Sequence, residues 1–106
     1  MTWTLAATLD DLPSGSSREF WRDGRVYALF RVGASITCID GRCPHQGGRL
    51  ANGTFAGSTV TCPRLGCLRW SFDVTTGAAS VGETLTRRLY PVRLEESAVF
   101  VALPET

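Results

Sequence analysis

The feature that most constrains the fold is a series of short segments in which apolar and polar residues alternate, separated by glycine-containing turns. Segment 25–32 shows this two-residue period and directly follows Asp23-Gly24, a dipeptide typical of two-residue hairpin turns. It therefore predicts the second strand of a hairpin whose first strand is segment 18–22. Further strands and a closing hairpin that turns at 95–97 are predicted in the same way, in segments 35–39, 59–62, 68–73 and 89–103.

The number and spacing of these strands predict an all-β fold, a small antiparallel barrel or sandwich. With 106 residues the chain is long enough for one compact domain, predicted over 1–106, and too short for two. Segment 9–15 is expected to hold one short helical turn that ends before Pro13. Segment 42–57 breaks the strand pattern with four glycines, so we expect a long loop of the kind that usually carries function.

The charge balance limits the expected partners. Eleven basic residues, all arginine, offset ten acidic residues to give a formal net charge of +1. Proteins that bind nucleic acids or anionic membranes usually carry a basic excess, so neither partner is expected. We find no signal-peptide pattern and no apolar run near the ~18 residues that a membrane helix needs. A cytoplasmic protein is therefore expected, in which four cysteines serve metal binding, catalysis or burial rather than disulfides.

Cysteine and histidine occur together on the predicted long loop. Cys43-Pro44-His45 forms a Cys-x-His motif, and Cys62-Pro63 follows after the intervening residues 46–61. Thiolate and imidazole groups are the side chains that hold iron in [2Fe–2S] sites of mixed ligation. Two loops that each begin with such a residue therefore indicate a candidate cluster site.

These motifs resemble the Rieske [2Fe–2S] family over most of the chain. In that family two cysteine thiolates hold one iron, and two histidine imidazoles hold the other. The first-loop pattern C-x-H-x-G-x-x-L-x-x-G is matched by Cys43, His45, Gly47, Leu50 and Gly53. The later matches are Cys62-Pro63, the strand and turn Trp70-Ser71-Phe72-Asp73 and Thr76-Gly77, and the C-terminal strand Tyr90-Pro91-Val92-Arg93. The resemblance implies a Rieske-like fold with both loops at one tip.

The second loop departs from the family pattern. The family has Cys-Pro-x-His-Gly, whereas this chain has Leu65 at the histidine position. An alignment counted back from Trp70 places Leu68 there instead and makes 64–66 an insertion. Because His45 is the only histidine, the set of two cysteines and two histidines is impossible within this chain.

A ligand lost from a lengthened loop leads us to expect that the cluster is gone and that its site is reused. The space would bind an apolar small molecule, and without a cofactor the reaction would be a non-redox cyclisation, rearrangement, isomerisation or elimination, in secondary metabolism. His45 is the candidate catalytic acid or base. The candidate pocket residues are Leu50, Phe55, Arg64, Leu65, Cys67, Leu68, Arg69 and Trp70.

Two alternatives remain open. In the first, Cys67 follows Cys62 closely enough to supply a third thiolate, so that Cys43, His45, Cys62 and Cys67 hold a [2Fe–2S] cluster. The added negative charge would lower the reduction potential, and the protein would be a ferredoxin that passes electrons to an oxygenase. In the second, the domain is a non-catalytic docking subunit of a larger reductase.

Cys38 lies mid-strand and is interpreted as a small buried apolar residue.

Overall fold

The computed structural model describes residues 2–43, 48–63, 70–79 and 87–104, and in these ranges antiparallel strands dominate. Two short 3-10 helices, Leu9–Asp11 and Leu50–Asn52, interrupt them. Neither is long or apolar enough to cross a membrane. The described strands are β1 (Thr2–Thr8), β2 (Ser17–Arg22), β3 (Arg25–Val32), β4 (Ser35–Asp40), β5 (Thr54–Ala56), β6 (Thr59–Thr61), β7 (Ser71–Asp73), β8 (Leu89–Tyr90), β9 (Val92–Glu95) and β10 (Ala98–Leu103). The predicted all-β class is confirmed.

The described strands form three sheets, with strand orders β1-β10-β9, β2-β3-β4-β8 and β5-β6-β7. Strand β3 explains how they stack, because it is buried on both faces. Tyr27 and Leu29 point into one core cluster, whereas Ala28 and Phe30 point into another. This follows from the two-residue side-chain period of a strand. The β2-β3-β4-β8 sheet is therefore the middle layer.

Each side of the middle sheet has its own core. The first core, which we call the loop-side core, lies against β5-β6-β7 and consists of Ala28, Phe30, Ile39, Cys43, Leu50, Val60, Cys62, Phe72 and Val74. The second lies against β1-β10-β9 and consists of Ala7, Leu12, Tyr27, Leu29, Cys38, Tyr90, Val99, Val101 and Leu103. Cys38 is fully buried in the second core, which confirms its interpretation as a small apolar residue.

The predicted hairpins are confirmed, with one interruption. Asp23 and Gly24 adopt positive φ angles of 52° and 79°, as a two-residue turn between β2 and β3 requires. Strands β6 and β7 also pair as predicted. The closing segment is divided at Pro91, so that β8 pairs with β4 while β9 pairs with β10. Proline cannot donate a ladder hydrogen bond, which explains the break.

Two elements differ from the sequence-based expectation. Segment 42–57 is not one continuous loop, because it contains the second 3-10 helix and β5. Strand β1 is an additional strand that the sequence reading did not assign, and it pairs with β10. Its large residues Trp3 and Leu5 are 41% and 60% exposed, and only the small Ala7 of this strand is buried in the second core, so the apolar pattern of the segment did not indicate a core-facing strand.

Candidate metal centre

The first loop is closed at its base by a short ladder, which we call the first neck. The Cys43 amide donates to the Gly48 carbonyl at 2.8 Å, and the Leu50 amide donates to the Gly41 carbonyl at 2.8 Å. Arg42 and Arg49 form a β-bridge between these two bonds. Cys43 therefore lies at the base of the loop, and it is only 2% exposed.

The second loop has a neck of the same kind. The Cys62 amide donates to the Trp70 carbonyl at 2.9 Å, next to the paired residues Thr61 and Ser71. Cys62 is 2% exposed and carries a free thiol. Each neck thus holds one cysteine at the point where a loop leaves the sheet.

A close backbone approach at Gly53 joins the two necks. The Gly53 amide donates to the Leu50 carbonyl at 3.0 Å, and an ideal Cβ on Gly53 would lie 2.1 Å from the Thr61 carbonyl oxygen. Only glycine permits this approach, because no Cβ fits between the two backbones. Thr61 directly precedes Cys62, and Leu50 belongs to the same loop-side core as both cysteines. The two cysteines therefore lie on the same side of the middle sheet.

The predicted pocket residues divide between the core and the loops. Leu50 is fully buried, and Phe55 packs edge-on against Phe30 with ring centroids 5.0 Å apart. Trp70 is partly buried against the loop-side core. These three side chains belong to the loop-side core or pack against it. The other candidates, His45, Arg64, Leu65, Cys67, Leu68 and Arg69, lie outside the described residues, so their roles stay predictions.

Arg87, which belongs to none of the motifs identified in the sequence, braces the first neck. Arg87 donates from Nη1 to the Arg42 carbonyl at 3.1 Å, and the same nitrogen lies 4.0 Å from the Asp40 carboxylate. Its side chain is 23% exposed. Tyr90 donates its hydroxyl to Asp40 Oδ1 at 2.7 Å. The partners lie 45 and 50 positions apart in the chain, so no local motif could have indicated this network.

Ionisation in this network follows from burial. Burial raises the pKa of Tyr90 well above its usual value, and its hydrogen bond to Asp40 raises that pKa further. Burial also raises the pKa of Cys38, with a smaller contribution from Asp40. Cys38 therefore remains a neutral thiol, and the thiolate is the form that binds metal. This agrees with its position in the core on the far side of β4 from Cys43.

The donors match a cluster by type, although not in the usual family combination. Cysteine thiolates are the standard ligands of [2Fe–2S] clusters, and histidine replaces them in the Rieske type. Cys43 and Cys62 are two buried donors at adjacent necks. A second histidine does not exist in the chain, whereas Cys67 is a third thiol on the second loop. The chain thus offers three thiolates and one imidazole, and the two-histidine set does not fit.

Comparison with known proteins agrees over nearly the whole chain. Residues 2–95 match the family model of the Rieske [2Fe-2S] domain. The 3-phenylpropionate/cinnamic acid dioxygenase ferredoxin subunit of Shigella boydii serotype 4 (strain Sb227) is 33% identical over 107 residues, covering 99% of this chain and 97% of the relative.

Solved structures give the same result. The ferredoxin of carbazole 1,9a-dioxygenase from Nocardioides aromaticivorans IC177 is 33% identical, with a TM-score of 0.83 over 96% of this chain and 98% of that one. A complex of reduced oxygenase and oxidized ferredoxin in carbazole 1,9a-dioxygenase matches at 29% identity and a TM-score of 0.83, over 94% of this chain and 92% of that one.

These matches overturn the main expectation from sequence. The expected cluster-free, non-redox enzyme acting on an apolar small molecule is wrong, because the full-length relatives are ferredoxin subunits of dioxygenases. The expected absence of a cofactor is wrong as well, since the matching family model is that of a [2Fe–2S] domain. The expectations of a cyclase or isomerase and of a role in secondary metabolism are wrong for the same reason.

The sequence reading treated a missing ligand as a missing cluster, and the family comparison does not support that step. The match runs through both necks and through the second loop in which the histidine is absent. The departure at Leu65 or Leu68 is therefore a variation inside a Rieske chain. The chain belongs to the Rieske [2Fe–2S] domain family.

Proposed function

We propose that this protein is a ferredoxin that carries electrons to an oxygenase, with a [2Fe–2S] cluster held by Cys43, His45, Cys62 and Cys67. The observation that carries the proposal is the pair of buried cysteines at two necks joined through Gly53. Full-length similarity to dioxygenase ferredoxin subunits supports the same function.

The proposed ligand set follows from the donors that remain. His45 is the only histidine, so the fourth ligand has to come from another side chain. Cys67 is the other thiol of the second loop, five positions after Cys62. Cys38 is unsuitable, because it is fully buried on the opposite face of the middle sheet.

The described residues would hold and shield such a group. A bound [2Fe–2S] cluster supplies one-electron redox chemistry. The hydrogen bonds of Cys43 to Gly48 and of Cys62 to Trp70 fix the positions from which the two thiolates project. Burial of both cysteines keeps water from their side chains. Arg87 holds the carbonyl of the residue before Cys43 and so brings a positive charge close to the first ligand.

The partner and the compartment belong to the same proposal. A ferredoxin relative has been solved as a complex with its oxygenase, which supports an oxygenase as the electron acceptor here. The required cysteine ligands have to be reduced thiols, and Cys62 is one. A reducing compartment such as the cytoplasm provides that condition.

The ligand set can be tested with two cysteine variants. Cys67→Ser is expected to lose most of its iron and visible absorption while keeping its far-ultraviolet circular dichroism spectrum. Cys38→Ala is the matched control, and it should retain full iron content because Cys38 lies in the other core. Iron and sulfide per chain would be measured after purification without oxygen.

Two results would contradict this assignment. Full iron content in Cys67→Ser would exclude Cys67 as a ligand. A colourless wild-type protein that co-purifies with a large reductase would instead support the docking-subunit alternative.

A further inference from the structure

A basic cavity lies on the flank of the first neck. Its volume is about 360 Å³, which lies within the usual size range of binding pockets. It is lined by Gly24, Arg25, Val26, Asp40, Gly41, Arg42 and Arg87. Because Arg42 directly precedes Cys43, this cavity opens next to the first proposed cluster ligand.

The cavity carries a surplus of positive charge. The described residues of its walls carry three guanidinium groups and one carboxylate, that of Asp40. The ion pairs of Asp40 are long, 3.8 Å to Arg25 and 4.0 Å to Arg87, and its Oδ1 also accepts the Tyr90 hydroxyl. Among the described residues, Arg25 and Arg87 share this single carboxylate, so the pair keeps a net positive charge.

One guanidinium group at the rim can serve an incoming anion. The Arg25 side chain is 54% exposed there, and its contact with Asp40 is a long one of 3.8 Å. Guanidinium groups recognise carboxylates through paired, charge-assisted hydrogen bonds. The cavity therefore matches a carboxylate better than a neutral ligand.

An exposed tryptophan beside the cavity indicates a protein as the partner. Trp21 is 47% exposed, and the Arg42 guanidinium lies 5.6 Å from its ring centroid. Tryptophan and arginine are the residues most enriched at the energetic centres of protein interfaces. A free inorganic anion would use the arginines and would have no contact for the indole.

We infer that the cavity and Trp21 together form a docking surface for an acidic segment of the protein that exchanges electrons with this chain. The redox role of that partner rests on the proposed function, whereas the acidic character of its contact rests on the cavity itself. Docking here would bring the partner to the residue next to Cys43.

The test is an NMR titration of the ¹⁵N-labelled protein, as purified, with a capped hexaglutamate peptide as the probe. The expected result is a set of shifts at the amides of 24–26 and 40–42 and at the Trp21 indole. The affinity should fall several-fold when NaCl is raised from about 20 mM to about 200 mM, because salt screens exposed charges. Arg25→Gln should weaken the affinity by about 1.5-fold to fivefold, the range for the loss of one exposed ion pair.

Arg93→Gln is the matched control. The Arg93 side chain is 48% exposed and paired with Glu95 at 3.2 Å, but it lies on β9, away from the cavity. This variant should bind the peptide as the wild type does. Equal weakening by both variants, or no shift at 24–26 and 40–42, would overturn the inference. It would also be overturned if inorganic phosphate shifted these amides and the peptide did not, because the site would then be a small-anion site.

The same sample separates this inference from the proposed function. Iron and sulfide content decide whether a cluster is present, and the titration decides whether an acidic peptide binds. A colourless protein that binds the peptide at this surface would keep the docking inference and reject the electron-transfer role. A coloured protein with no peptide binding would do the reverse.

Discussion

Replacement of Gly53 by alanine is expected to disturb both necks at once. An ideal Cβ at this position lies 2.1 Å from the Thr61 carbonyl oxygen and 3.2 Å from the Leu50 carbonyl oxygen. Ordinary contact begins at 3.4 Å, so the first distance is 1.3 Å too short, and the obstacle is backbone. Gly53 itself has a φ of −78°, which alanine tolerates, so the expected cost is purely a steric one.

The magnitude follows from the size of this overlap. Overpacking in a well-packed region typically costs 1–3 kcal/mol, and an obstacle that cannot rotate away places Gly53→Ala near 3 kcal/mol. For a domain of this length, that corresponds to a fall of roughly 12 °C in Tm. Displacement of the Thr61 carbonyl also moves the following residue, Cys62, so the iron content should fall below that of the wild type.

The assay is urea unfolding followed by tryptophan fluorescence, together with iron content. Gly33→Ala is the matched control, because nothing lies within 4 Å of its ideal Cβ and only its φ of +60° opposes the change. It should cost about 1 kcal/mol and leave the iron content unchanged. The reasoning is refuted if the free energy of unfolding of Gly53→Ala lies within about 0.5 kcal/mol of the wild-type value, the usual range of neutral surface substitutions, and the variant retains full iron.

Two further variants test the described hydrogen bonds. Tyr90→Phe removes the bond to Asp40 from a nearly fully buried ring, and it should lower the free energy of unfolding by about 1 kcal/mol in urea titrations at neutral pH; no change would contradict this. Asp73→Ala removes two hydrogen bonds that Asp73 accepts from the side chain and the backbone of Thr75. Both bonds lower the pKa of Asp73, and the side-chain bond has the larger effect. Because the folded pKa is lowered, their contribution is present above the unfolded pKa of about 3.9 and is lost as the pH falls through the folded value. This partly exposed carboxylate should contribute only about 0.5 kcal/mol at pH 7, and a difference from the wild type that grew on acidification would contradict the sign.

The sequence predicted the elements whose signals are local. The turn at Asp23-Gly24 places both residues in the conformation that this dipeptide favours, so the dipeptide was enough to predict the β2–β3 hairpin. Strand β1 gave no such signal, because Trp3 and Leu5 face outward and the usual inward apolar alternation is reversed. Strand β5 lies between Gly53 and Gly57, and the glycines of this segment indicated a loop instead.

The site was predictable only in part, for a related reason. Cys43 and Cys62 were identified from their spacing, and the structure places them at two joined necks. Arg87 was missed because its partners are distant in sequence and only the fold brings them together. The functional error came from treating one absent histidine as decisive, although Cys67 offers another donor of the right chemistry.

The most direct test of the account is the iron and acid-labile sulfide content per chain, with the visible spectrum, of protein purified without oxygen. The account predicts about two of each per chain and a coloured solution that dithionite reduces. A folded, colourless protein that cannot be reconstituted with iron and sulfide would contradict the proposed electron-transfer function.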